Sequence, residues 1–450
     1  MKRQRDQAGQ PEGALVIAEH YRGLALVRSL GRRGIPVWTL QPDSEFMASA
    51  SRYSRNSLPW PAGQDSEQLE YLLELEARHG LNGWALFATS DEPTMLFARH
   101  HAALSSRFRM TVAPWDQLRW AYDKRLTYRL AADIGVDYPK TFCPTTRDEV
   151  MNLDCSFPVI LKPAFKKQTN PFTRDKAWQA NDRQTLTARH AKASELVGPD
   201  VVMVQELISG GGETQFSYAA LCADGRTLAS VTARRTRQYP VDFGRSSSLV
   251  ETCDQPAIEE PAQRLLAAMR YTGLVEVEFK YDQKDGRYKL LDVNPRVWTW
   301  QGLCGRAGVD FPYLLWRSIR GEPVPELRGR PGVRWVRMST DLAAASIEML
   351  RGRLSLAGYC RSLKRPLEFA AFAADDPLPA LLGAPARAYS IGKRFLASHS
   401  WVGSLNPNRR RAWKDPDVDR ELRLKSVPGA LSGAHRPAQL RGGGGTDGTL

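Results

Sequence analysis

Two periodicities alternate along the first hundred positions. Residues 14–18 form a short apolar run (Ala-Leu-Val-Ile-Ala), which predicts a strand, and Leu24, Val27 and Leu30 after Gly23 recur at helical spacing. Residues 34–40 read as a second strand, 67–79 as a helix, 84–89 as a third strand, and Met95, Leu96 and Phe97 as the next helix. Strands alternating with helices predict an open parallel α/β domain over residues 13–115. No GxGxxG follows the first strand, so a dinucleotide fingerprint is absent. Ser90-Asp91-Glu92 stands just beyond the strand 84–89, where open α/β sheets bind ligands. The same three residues also suit a plain helix N-cap, and both readings stay open.

From Leu118 the pattern changes. A helix runs through Leu126 and Leu130 to Gly135, and residues 157–163 form a strand that carries a lysine near its end. Further strands are expected at 201–207, 215–222, 227–234, 274–281 and 288–293, with a helix over 259–269. Such mixed, mostly antiparallel strands under helices imply an α+β body, divided into lobes at 116–204 and 205–325. Residues 326–405 read as an α-rich extension, with helices near 342–350 and 354–363. The polar lead-in 1–12 and the Gly/Pro/Arg-rich stretch 406–450 are expected to be flexible.

Composition narrows the classes. The chain is 42% hydrophobic and 25% charged, as in ordinary globular proteins, and no apolar run approaches the ~20 residues of a membrane helix. The six cysteines form no CxxC pair, which argues against a zinc site or a disulfide framework. With no signal-like apolar stretch near Met1, a cytoplasmic location is expected. The net charge of +14 invites a nucleic-acid reading, but no nucleic-acid-binding motif accompanies it, and a basic surface for small anionic substrates explains it as well.

The chemistry concentrates between Val275 and Arg296. One strand reads Val-Glu-Val-Glu-Phe-Lys (275–280); after Asp285-Gly286 the next reads Lys-Leu-Leu-Asp-Val-Asn-Pro-Arg (289–296). Strand alternation puts Asp292 and Asn294 on one face, and Glu278 meets them if the register pairs it with Asp292. A two-residue loop would pair Glu278 with Val293 instead. The convergent arrangement therefore requires an odd-numbered loop, or a bulge of equal effect. Three hard oxygen ligands fit magnesium completed by phosphate oxygens. A solvated hairpin face with scattered acids is the plain alternative.

Asp-Val-Asn-Pro-Arg after Glu-Val-Glu-Phe resembles the metal-binding hairpin of the ATP-grasp family, whose usual pattern has Glu where this chain has Asp292. The resemblance implies an ATP-grasp fold preceded by an N-terminal α/β domain. It also implies magnesium or manganese ligation by Glu278, Asp292 and Asn294, with Arg296 stabilising the transferred phosphoryl group. Asp123-Lys124 matches the first ATP lysine, and Lys162 the lysine that reaches the α- and β-phosphates. In the hinge, Gln205 and the backbone of Glu206 and Ile208 would read adenine, while Glu213 would hold the ribose. Read alone, Lys124 is also an ordinary surface lysine and Glu213 an ordinary loop acid. The segment 166–176 lacks the family's glycines, so phosphate cover would fall to basic side chains such as Lys176. Of Arg234, Arg235 and Arg237, Arg235 is the choice for an anion contact, a solvated edge strand being the alternative. Trp298 and Trp300 either line an acceptor pocket or belong to the core, and His100-His101 reads as structural. The pattern is similar to the carboxylate–amine ligase branch, which includes D-aspartate ligases. It implies small-molecule carboxylate and amine substrates, ATP, and an acyl phosphate. A thiol or hydroxyl acceptor, or ATP binding without turnover, remains the alternative.

Overall fold

A computed structural model describes residues 12–383 apart from 43–44, 166–169, 176, 242–243, 245 and 365. Strands β1 (Ala14–Ile17), β2 (Val37–Gln41), β3 (Ser54–Pro59), β4 (Ala85–Ala88) and β5 (Arg109–Met110) form a parallel sheet in the order β3-β2-β1-β4-β5. The strand order reverses between β1 and β4, so their carboxyl ends frame the crevice where such sheets take ligands. Helices His20–Gly31 and Asp91–Arg99 begin at that crevice.

Strands β6 (Thr141–Phe142), β7 (Val159–Pro163), β8 (Trp178–Ala180) and β9 (Val202–Glu206) make a second, antiparallel sheet in the order β6-β9-β7-β8. The 15-residue helix Arg183–Val197 covers it. That helix was not anticipated, because its apolar residues form no clean stripe.

The third sheet is the largest. Strands β10 (Gln215–Ala223), β11 (Arg226–Tyr239), β12 (Ser246–Thr252), β13 (Gly273–Asp282), β14 (Arg287–Asn294), β15 (Leu327–Arg328), β16 (Arg334–Val336) and β17 (Leu367–Phe369) run in the order β14-β13-β10-β11-β12-β16-β17, with β15 beside β11. Residues beyond 326 thus add strands to this sheet as well as the helices Met338–Leu350 and Leu356–Ser362. One core joins the first and third sheets. Ala14, Val16, Leu24 and Val27 pack with Leu221, Val231, Trp298, Trp300 and Phe311. Both tryptophans are buried in this core.

The β13–β14 hairpin decides the geometry of the candidate site. Its loop has four residues, since Asp282 pairs with Arg287, but the ladder shifts between Phe279–Leu290 and Glu278–Asp292. Leu291 is the extra residue, so of the two arrangements foreseen the bulge is the one present. Alternation does the rest. Val275, Val277, Phe279, Leu290 and Val293 face the core, leaving Glu276, Glu278, Asp292 and Asn294 on the opposite face.

Candidate active site

A cleft of about 670 Å³ lies between the second and third sheets. Ile160, Lys162, Gln205, Glu206, Ile208, Glu213, Arg235, Glu278 and Asp292 all line it. Leu291 lines it too, because the bulge turns two consecutive residues of β14 toward the cleft. The Tyr128 hydroxyl donates to the Leu291 carbonyl at 2.7 Å and pins the bulge from behind.

The carboxylates meet cations. Lys124 Nζ lies 2.8 Å from Asp292 Oδ1, and Arg235 lies 3.7 Å from Glu278 Oε1. Burial pulls the Lys124 ammonium down, but Asp292 more than offsets this and holds it above its ordinary value. Gln215 Nε2 donates to Glu278 Oε2 at 2.6 Å. The Asn294 amide donates to Glu276 at 3.1 Å and Glu278 at 3.3 Å, while its oxygen accepts from Arg296 at 3.2 Å. Glu278, Asp292 and Asn294 are therefore brought together. Among the described residues no three His, Cys, Asp or Glu side chains cluster as for a metal, and the set consists of two carboxylates and one amide. Both carboxylates are partly open to the cleft, at 17% and 31% exposure. That leaves room for phosphate oxygens to complete the shell a magnesium ion requires, so the donor set fits such an ion.

Glu276 escaped the sequence reading, although its i, i+2 spacing from Glu278 was a usable signal. It pairs with Asn294 across the hairpin and accepts from Trp300 Nε1 at 2.8 Å. Burial first, then the charge of Glu278, pushes its carboxyl up to about 7.

The hinge differs in detail from the expectation. The Gln205 side chain donates to Thr141 Oγ1 at 2.8 Å and accepts from Lys162 Nζ at 2.9 Å, so it orients the lysine. The Glu206 amide donates to the Lys140 carbonyl at 3.0 Å. Glu213 accepts from the Gly211 amide at 2.9 Å, and Lys280 donates to the Gly210 carbonyl at 2.7 Å. The three arginines of β11 part company. Arg234 pairs with Glu251 at 3.6 Å at the surface, Arg235 faces the cleft, and Arg237 is buried against Asp341 at 2.7 Å. Lys176 and residues 166–169 lie outside the described residues.

The first sheet contributes from the other side. Asp91 makes a close ion pair with Arg296. Ser90 makes no side-chain capping bond; its hydroxyl donates to Glu19. Ser90 nonetheless stands at the N-cap position with Asp91 and Glu92 in the first turn, as the cap reading has it, and Asp91 is in addition paired with Arg296. Arg22 sits in the same crevice, 3.8 Å from Glu19. Its guanidinium is lowered to about 10, by burial first and then by the charge of Arg296.

Known proteins resemble this chain in part of its sequence and in its fold. Residues 200–340 match the model of a family described as ATP-grasp in the biosynthetic pathway with Ter operon. The carbamoyl phosphate synthase large chain of Myxococcus xanthus (strain DK1622) is 26% identical over 229 residues, covering 49% of this chain and 21% of its own length. The D-aspartate ligase of Enterococcus faecium (strain Aus0004) is 24% identical over 225 residues, 47% of this chain and 53% of that one. The chain therefore spans about half the length of that ligase and about a fifth of the synthase. Among solved structures, the L-amino acid ligase of Bacillus licheniformis superposes with a TM-score of 0.53 at 15% identity, covering 70% of this chain and 75% of that one. The biotin carboxylase domain of the Hydrogenobacter thermophilus 2-oxoglutarate carboxylase, solved with MgADP and bicarbonate, gives a TM-score of 0.58 at 13% identity over 72% and 74%. No helix among the described residues is long and apolar enough to cross a membrane.

Proposed function

The chain has the ATP-grasp fold, and from that premise we propose that it is an ATP-dependent carboxylate–amine ligase. The observation that carries the reading is the β13–β14 hairpin. Its bulge puts Asp292 opposite Glu278, with Asn294 alongside, at the mouth of a cleft that Lys162 and Arg235 also enter.

In this reading the adenine lies over Leu291 between Ile160 and Ile208, with Glu206 and Ile208 offering backbone groups. Lys162, oriented by Gln205, meets the α- and β-phosphates, and Glu213 takes the ribose hydroxyls. Glu278, Asp292 and Asn294 would hold magnesium or manganese, which would supply neutralisation of phosphate charge. A substrate carboxylate oxygen attacks the γ-phosphorus, the bond to the β-phosphate oxygen breaks, and ADP leaves. Arg235 and Arg296 are fixed donors around the phosphoryl group in flight. The amine nitrogen then attacks the acyl carbon, phosphate departs, and the nitrogen loses its proton. Asp91 holds Arg296 until a phosphoryl group takes its place.

The test is an ADP-release screen against the twenty amino acids, common dicarboxylates and simple amines, with mass spectrometry of the products. Acid-dependent ADP release together with a new amide mass is expected. Asp292→Ala should lower that rate at least ~100-fold, a barrier increase of ~2.7 kcal/mol, in a folded protein. Acid-stimulated ADP release at the wild-type rate in this variant defeats the assignment.

A further inference from the structure

The cleft has a third wall. Besides the nucleotide-side residues it is lined by Ala344 and Glu348 of the helix Met338–Leu350, and by Arg353 just after it. This helix is held against the sheet by a buried anchor. Arg237 makes two hydrogen bonds to Asp341, at 2.9 and 2.7 Å, and Ser248 donates to the same carboxylate at 2.9 Å. Whatever the helix presents to the cleft is therefore presented from a fixed position.

Two oxygen atoms of residues that line the cleft have no hydrogen-bond partner among the described residues, although both atoms are buried: Thr236 Oγ1 and Glu348 Oε1. Buried polar atoms are ordinarily paired, so such orphans call for an explanation. Arg353 and Arg351 approach Glu348 only to 3.7 and 3.9 Å, which balances its charge without satisfying its lone pairs. Thr236 stands at a second irregularity of the sheet. The β11–β12 ladder runs from Arg235–Val250 to Arg237–Leu249 and skips Thr236. A bulge re-aims side chains, and here Thr236 joins Arg235 in lining the cleft. The hairpin bulge at Leu291 does the same on the opposite side.

We propose that Thr236 and Glu348 form the subsite for the incoming amine. The subsite offers two oxygen acceptors, one of them a carboxylate, and a nucleophilic amine brings N–H donors with a positive charge before it loses its proton. Arg235, adjacent to Thr236, faces Glu278 at 3.7 Å, so an amine held here lies beside the region assigned to phosphoryl transfer. The C-terminal helix thereby becomes the specificity wall for the acceptor. This inference rests on the ligase reading above.

Hydroxylamine serves as the probe, because it is a small N–H nucleophile that converts an acyl phosphate into a coloured hydroxamate. With the acid that gives the largest ADP signal, the hydroxylamine concentration for half-maximal hydroxamate should rise about tenfold in Glu348→Gln. In Thr236→Val, which keeps the side-chain shape, it should rise several-fold. KM for ATP should move less than about twofold in both. Wild-type hydroxylamine dependence in both variants overturns the subsite, as does a change confined to KM for ATP. A wild-type chain that yields neither ADP nor hydroxamate with any acid overturns the ligase reading instead.

Discussion

Replacing Asp341 by alanine tests whether the C-terminal helix is an integral wall of the cleft. Asp341 is fully buried, and its carboxylate takes two hydrogen bonds from Arg237 and one from Ser248. Alanine leaves a guanidinium that is 9% exposed with no counter-charge. Breaking a buried pair from one side costs ~3–5 kcal/mol, because the remaining ion keeps its desolvation penalty. The lower end applies here, since Arg237 retains Ser362 Oγ at 2.9 Å and the Tyr359 ring at 5.1 Å. A loss of ~3 kcal/mol corresponds to a factor of about 150 in the opening equilibrium of the helix. With several sheets in one chain, a global melting curve is a poor gauge, and amide hydrogen exchange resolves the segment directly. Amides of residues 338–350 should exchange roughly a hundredfold faster in Asp341→Ala, while those of the β1–β5 sheet change little. The double variant Arg237→Met, Asp341→Leu should recover most of the protection, because removing both charges removes the penalty. Exchange over 338–350 within about threefold of wild type in the single variant would refute the reasoning.

Leu291→Ala should raise KM for ATP about fivefold while leaving the magnesium dependence unchanged. The bulge turns Leu291 into the cleft, and losing about half the burial of three carbons removes ~1 kcal/mol; the ratio of KM values against ATP and magnesium titrations checks it. Asp375 is held well below the usual carboxylate range by the hydrogen bond from Arg32 first, with Tyr53 adding to it despite partial burial. A depressed folded-state value means that its stabilising effect is complete above the unfolded value of ~3.9 and fades as pH falls toward the folded one. The advantage of wild type over Asp375→Asn in urea midpoint should therefore be present at pH 6 and shrink steadily below pH 4; an advantage independent of pH contradicts the pairing.

Much of the candidate site was legible because strand alternation is a local property. Once Val275, Val277 and Phe279 are assigned to a core, Glu276 and Glu278 have nowhere to go but the other face. The same logic puts Asp292 and Asn294 together, and Lys162 near the end of an apolar strand points to a cleft. The parallel α/β start of the chain was readable for the same reason, since short apolar runs and 3.6-residue periods are visible without any partner. The helix Arg183–Val197 was not, because its burial comes from the sheet it covers.

What tertiary structure alone decided is who meets whom. Alternation could require a bulge but not say that Leu291 would be the residue squeezed out, because that depends on Phe279 pairing with Leu290 in the core right beside it. The partition of Arg234, Arg235 and Arg237 into surface, cleft and core depends on the skipped Thr236 and on Asp341, 104 positions away. Asp91 reaches Arg296 across 205 positions. Local periodicity tells each side chain which face of its own element it occupies. The partner across that face is chosen by the packing of distant elements, and no window of sequence contains both.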